Sequence, residues 1–285
     1  MRAQLFGDQT SANFANDILK LGDGKVPLDA DGELDVHPFA TPVSSLAELT
    51  DKVFPHLKDN YLNHEWLSER AVLAPKNVTV TKLNDQPLQS LPGAPFAYKS
   101  VDTMVDANES LNFSTEFFNS LYPPSLQPHL LHLKVGSPVV LLRNLEPSRL
   151  CNGTHLVVKK LIKHVVEATI LSGCGKGEDV SIPRIPLTPS GADIFFAFRR
   201  LQFRLRPSFA MSVNKSPGQT LSVAGLLLEE PCFSHGQLYV ACSRVGSRDR
   251  LLALTRRGKT RNIVLQQSAT YLPRLKWVRY RHACT

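Results

Sequence analysis

Three short apolar runs near the C-terminal end constrain this chain most. They are "FAMSV" (209–213), "VAGLLLEE" (223–230) and "RLLALT" (250–255). Turn and helix signals separate them, "NKSPGQT" after the first and "SHGQLYVACSRV" after the second. Apolar runs that alternate with helical patterns predict a parallel sheet and so an α/β fold. "RAVLAPKNVTVTKLN" (70–84) has the same form: a buried strand, Ala71–Ala74, stopped by Pro75 and feeding a helix or turn.

Residues 131–171 read differently. "LHLKVGSPVVLLRNL", "THLVVKKLIK" and "HVVEATIL" are closely spaced β-rich runs, which predicts an antiparallel meander folded as a small barrel. "IPRIPLTPSG" follows, with prolines at 183, 186 and 189. It suits a polyproline ligand or an extended exit linker. Before residue 66, "ANFANDILKLGDG" and "SLAELTDKVFPHL" carry helical patterns around a loop, "LGDGKVPLDADGELDVHP".

Charge is divided unevenly. Residues 1–130 hold 9 Lys/Arg against 17 Asp/Glu, net −8, whereas residues 131–285 hold 24 against 8, net +16. A basic half of that size points to a polyanion, nucleic acid first, with a solvated basic surface as the plainer reading. No apolar run reaches the roughly 18 residues of a membrane helix. The N-terminus lacks a secretory layout, so no membrane partner is expected and the chain is read as intracellular. Five scattered cysteines without a CxxC pair fit a reducing compartment. His129, His132, His155 and Cys151 do not form the paired ligand sets of a zinc site, so no metal is assigned.

Two helix starts share the capping-box spacing: Ser216 with Gln219, and Ser234 with Gln237. With Ser216 at N-cap, Pro217 falls on the first helical position, where its missing N–H costs little. Such a helix start offers N–H groups and a positive dipole end to an anion. Gln237 and Arg244 are seven residues apart and are expected on one helix face. Arg244 then sits at the helix end, as a dipole partner or as a finger reaching a phosphate held by another domain.

These segments together resemble a family. "LKVGSPVVLLRNLEPSRLCNGTHLVV", "AMSVNKSPGQTL" and "FSHGQLYVACSRV" are similar to Pif-type and Helitron-encoded DNA helicases of superfamily 1, in the family's order, from about Asn13 to Ile263. The resemblance implies an ATP-driven motor moving 5′ to 3′ on single-stranded DNA. Its fold would be RecA-like, an α/β parallel sheet of the P-loop NTPase type, with a small antiparallel β-barrel inserted. On that reading residues 67–128 and 196–268 are the second RecA-like domain, 129–195 the barrel, 1–66 the junction to a first motor domain, and 269–285 a basic tail. Arg244 would be the arginine finger, and Gly218, Gln237 and Arg244 would face the nucleotide cleft. Asn77, Lys215, Ser216, Thr220, Arg199 and Arg200 would face DNA. Pro217 stands where the family carries Gln, Arg149 where it carries Gly, and Cys242 where it carries a bulkier residue or Thr. Replication, repair, recombination, telomere maintenance and nuclear residence follow from the family alone.

A motor of this type needs GxxxxGK[ST] and an acidic magnesium site. The nearest stretch, "ALTRRGKT" (253–260), has Ala253 at the first glycine and two arginines in the loop. It reads as an exposed basic turn after the last strand. The chain is therefore expected to lack the P-loop, to hold no cofactor alone, and to use ATP and Mg2+ only when a first motor domain supplies their site. The competing reading is a non-enzymatic, basic nucleic-acid-binding remnant of a transposon helicase. It would bind single strands through cations, with Phe198 and Phe203 as stacking aromatics.

Overall fold

The computed structural model describes residues 9–105, 114–123, 126–189, 196–215 and 220–265. At its centre is a five-stranded parallel sheet. In spatial order its strands are Ala210–Ser212, Arg70–Ala74, Val223–Leu228, Leu251–Thr255 and Thr41–Val43. The four expected apolar runs are the first four of these strands, while Thr41–Val43, from a stretch read as helix and loop, adds the fifth; helices cover both faces. Leu73, Leu226 and Leu228 pack with Phe14, Ile18 and Leu21 of the helix Gln9–Gly22 and with Leu238 and Ala241 of the helix Gln237–Cys242. Val72, Ala74 and Leu227 point the other way, onto Leu49 and Val53 of the helix Leu46–Val53 and Val80 and Leu83 of the helix Asn77–Ser90. Because both faces are buried, the strands read as continuous apolar runs rather than alternating ones.

Local chemistry fixes the helices on the sheet. Ser45 caps Leu46–Val53 by accepting the Glu48 N–H at 3.1 Å. The Glu48 carboxylate accepts the Ser44 N–H at 2.7 Å and meets Lys52 at 2.8 Å. Those contacts, Lys52 first, pull the Glu48 carboxyl down to about 2. Gly225 lets this helix approach: a Cβ there would stand 2.8 Å from Val53 Cγ2 and 2.9 Å from Leu49 Cδ1. Asn84, buried in Asn77–Ser90, accepts the Ala210 N–H at 2.9 Å and donates to the Ala210 carbonyl at 3.2 Å. It thereby satisfies the outer backbone groups of the edge strand Ala210–Ser212.

A second, antiparallel sheet of five strands runs Asp179–Pro183, Val165–Ile170, His155–Leu161, Pro138–Leu141, Leu205–Pro207. Its middle three strands are the expected meander. Leu130–Leu133 instead pairs with Phe96–Lys99, and Phe198–Gln202 lies between Ile185–Leu187 and Val101–Met104. Pro183 and Pro186 are therefore strand residues, which removes the polyproline and linker readings of that stretch. Tyr98, Leu133, Val139, Leu156, Ile182 and Phe203 fill one core beneath the antiparallel sheet. The chain passes from Leu205–Pro207 into the parallel strand Ala210–Ser212 through Ser208 and Phe209, both buried. One further expectation changes: Thr220–Ser222 are not helical, and the strand begins at Val223. No described helix is long and apolar enough to cross a membrane.

Candidate functional site

The parallel sheet has two ends, and the sequence-selected residues divide between them. At the carboxyl end, Ser212 leads into a single 3-10 turn, Val213–Lys215, and Ala74 leads through Pro75 and Lys76 to Asn77, which opens its helix. Gln237 ties these exits together. It is 2% exposed, donates through Nε2 to the Pro75 carbonyl at 3.3 Å and to Asn214 Oδ1 at 3.4 Å, and accepts the Phe233 N–H through Oε1 at 3.1 Å. Lys76 pairs with Glu230 at 2.9 Å just above. Asn77, Lys215 and Gln237 thus share one edge. Gln237 is fully engaged there as a brace, which corrects its expected place against a nucleotide.

The helix that carries Gln237 starts from Gly236, whose φ of 68° is left-handed, and not from Ser234. Ser234 supplies only its carbonyl, to the Gln237 N–H at 3.3 Å. The capping-box reading fails because Gly236 reverses the chain after the serine has passed. Only six residues are helical, Gln237–Cys242, so Arg244 lies beyond the helix rather than on its Gln237 face.

Arg244 belongs to the opposite, amino end of the sheet. Its carbonyl accepts the Leu221 N–H at 2.9 Å, two residues before Val223–Leu228 begins. Its Nε donates to the Val240 carbonyl at 2.9 Å and its Nη2 to Ser243 Oγ at 2.9 Å, so the guanidinium caps the helix that precedes it. Exposed Thr220 adjoins Leu221. Next to them Ser222 Oγ donates to the Glu69 carboxylate at 2.7 Å. Arg70 lies over the Trp66 ring at 4.4 Å, and burial, with Arg250 nearby, lowers its pKa. Ser216 and Gly218, with Pro217 between them, lie outside the described residues.

The strand Phe198–Gln202 alternates outward and inward, and that decides its arginines. Arg199 is exposed. Arg200 is buried, and its Nε and Nη2 grip Asp102 at 2.9 and 2.7 Å. Its remaining N–H groups donate to the carbonyls of Leu121, Gln127 and Phe118. A guanidinium so committed cannot contact DNA, which corrects the expectation for Arg200. Phe198 and Phe203 are 0% exposed and pack within cores, the first stacked on Phe118 and the second edge-on to Tyr98, so neither is a platform for bases. Asp102, Asn84 and Gln202 were not singled out in the sequence. Gln202 Nε2 donates to the carbonyls of Tyr98 and His129, and no spacing signal marks such long-range bonds.

"ALTRRGKT" also takes a definite shape. Leu251–Thr255 ends in a turn in which Arg257 and Gly258 both have positive φ, 65° and 73°. Lys259–Thr260 then pairs antiparallel with Leu34–Asp35, and Lys259 meets Asp29 at 2.8 Å. A phosphate loop leads into a helix and leaves its lysine to the phosphates. Here the triplet leads into a strand and the lysine is taken, so the stretch does not suit ATP.

A mixed α/β chain with this parallel sheet matches solved Pif1 helicases. A Pif1 helicase from Bacteroides in complex with ADP-AlF3 and ssDNA aligns with a TM-score of 0.58 at 19% identity, over 90% of this chain and 51% of that one. Residues 116–161 match the 2B domain of the DNA helicase Pif1. The chain is 35% identical over 132 residues to the ATP-dependent DNA helicase PIF6 of Trypanosoma brucei brucei, and 31% identical over 179 residues to the ATP-dependent DNA helicase PIF1 of Homo sapiens. These stretches are similar to Pif1-type DNA helicases. The matched stretch is 45% of this chain and 16% of the trypanosome protein, and 61% of this chain and 25% of the human one. The chain thus spans a quarter or less of the length of these curated relatives.

Proposed function

We propose that this chain is the C-terminal portion of an ATP-dependent 5′-to-3′ DNA helicase, a second RecA-like domain with a 2B-like barrel inserted at about 129–195. One observation carries the reading. The stretch matching the Pif1 2B domain, 116–161, lies between two strands of one parallel sheet, and that sheet displays the helicase-like segments at its two ends. Single-stranded DNA would run along the carboxyl end, past Asn77 and Lys215, with exposed Arg199 as a further cation; Thr220, at the amino end beside Leu221, lies off that path. Arg244 would serve a nucleotide cleft at the amino end.

ATP and Mg2+ would be held by a first motor domain outside these residues; the expected junction role of 1–66 does not fit the stretch from Gln9 to Val53, which packs on or pairs with the parallel sheet. Bound there, the nucleotide supplies the phosphoryl group whose charge an arginine can stabilise. This chain's own contribution is a guanidinium held at the sheet's end, which must leave Val240 and Ser243 Oγ to reach a phosphate. Nuclear residence and work in replication, repair, recombination or telomere maintenance belong to the same proposal.

The test has two arms. The chain alone should bind oligo-dT with an affinity that falls steeply with salt, and should hydrolyse no ATP. Fused behind a Pif1-type first motor domain, it should support DNA-stimulated ATPase that Arg244→Ala lowers by about 10³-fold or more. ATPase by the isolated chain above that of a Lys215→Ala/Arg244→Ala variant would sink the proposal, as would flat salt dependence.

A further inference from the structure

We infer that the turn Arg256–Gly258 is a second contact point for single-stranded nucleic acid, at the same end of the sheet as Lys215. The inference rests on the helicase reading for its ligand, but on its own geometry for the site. Leu251–Thr255 is parallel to Val223–Leu228, which is parallel to Arg70–Ala74 and through it to Ala210–Ser212. Residue 256 therefore leaves the sheet at the end where Lys215 and Asn77 do, three strand spacings, about 14 Å, from the strand that leads to Lys215 and two from the one that leads to Asn77.

Three features mark this turn as built for an anion. First, it is pinned. The Gly258 carbonyl accepts the Val36 N–H at 3.1 Å, Lys259 and Thr260 pair with Asp35 and Leu34, and Gly258 lies under His37, where a Cβ would be 3.3 Å from Cε1. Second, it is strained: Arg257 holds a φ of 65°, a conformation glycine would adopt freely. Third, its charge is uncompensated. The flanking cations are neutralised, Lys259 by Asp29 and Arg261 by Glu33, and His37 meets Asp35. Arg256 and Arg257 are exposed, and neither forms an ion pair or a side-chain hydrogen bond among the described residues. Lys76, next along the edge, is held by Glu230, and exposed Glu229 ends the intervening strand. Guanidiniums without partners on a pinned turn, along the edge that also carries Lys215 and Asn77, fit phosphates of one strand passing over several strand ends.

The experiment uses the full chain and labelled oligo-dT, titrated from 50 to 300 mM salt. Two phosphate contacts on a single strand contribute about 1.4 to the slope of log K against log salt, and about tenfold in affinity near 0.15 M. Arg256→Ala/Arg257→Ala should lose both, and Arg256→Lys/Arg257→Lys should keep the slope. Arg257→Gly relieves the left-handed backbone while deleting one charge, so its loss of about 0.7 in slope cannot be attributed to misfolding. Absence of oligo-dT binding by the unaltered chain defeats the helicase reading itself. Binding that Lys215→Ala weakens while the arginine variants leave affinity and slope unchanged overturns this inference alone. So does a loss confined to duplex DNA.

Discussion

The Leu221 N–H donates to the Arg244 carbonyl at 2.9 Å, so the main chain at position 244 is fastened to the entry of a central strand independently of its side chain. Arg244→Ala removes the guanidinium's bonds, those to Val240 and Ser243 among them. It should cost about 0.5–1 kcal/mol, a fall in melting temperature of a few degrees. A melting curve shifted by more than about 10 °C would show that the side chain holds the fold, and would remove it as a clean probe of catalysis.

Gly225 sits under Leu49 and Val53 with no room for a methyl group. Gly225→Ala must push the helix Leu46–Val53 away from the sheet. It should destabilise the chain by about 1–3 kcal/mol in urea unfolding. Gly225→Ala combined with Leu49→Ala should recover part of that loss, because the shortened neighbour vacates the space, though it adds a cavity cost elsewhere.

Asp102 and Arg200 form an ion pair removed from water. Asp102→Ala leaves an uncompensated buried guanidinium and should cost about 3–5 kcal/mol. Replacing both, as Asp102→Leu/Arg200→Met, should be the milder change, although the carbonyls of Leu121, Gln127 and Phe118 then lose a donor. Chemical unfolding of Asp102→Leu, Arg200→Met and the double gives the coupling directly. Additive losses would contradict the pairing.

His155 carries a different signature. Burial lowers its pKa from 6.5 to about 4. Below pH 6.5 the unfolded chain takes up a proton that the folded chain refuses until about pH 4, so stability falls with falling pH across that window. The slope from this one group is at most about 1.4 kcal/mol per pH unit. Other carboxylates titrate at the lower end, so the difference between the wild type and His155→Phe is the measure. That difference should shrink as pH is lowered from 7 to 4, and a constant difference would show that the ring is not held neutral.

The parallel sheet was legible because its strands are buried on both faces. Ala71–Ala74 and Leu226–Leu228 have no polar side to confuse the pattern, and Pro75 marks an exit. The meander at 138–170 was legible for the complementary reason, strands separated by short polar steps. What stayed hidden depends on register and long-range partners. Arg199 and Arg200 look alike in sequence. One pleat sends the first to water and the second inward to Asp102, 98 residues earlier. Gln237 looked like a capping residue with a free face, yet its partners Pro75 and Asn214 lie just past the ends of two strands distant in sequence. The Ser45–Glu48 spacing was there to read.

Only Ser208 and Phe209 separate the last antiparallel strand from the first parallel one, and neither is loose: the Ser208 N–H donates to the Pro138 carbonyl and the Phe209 carbonyl accepts from Val72, both at 2.9 Å. A joint made of two interior residues, each stitched to a different sheet, behaves as a weld. Force applied to the antiparallel layer is therefore delivered straight into the strand that runs on to Lys215.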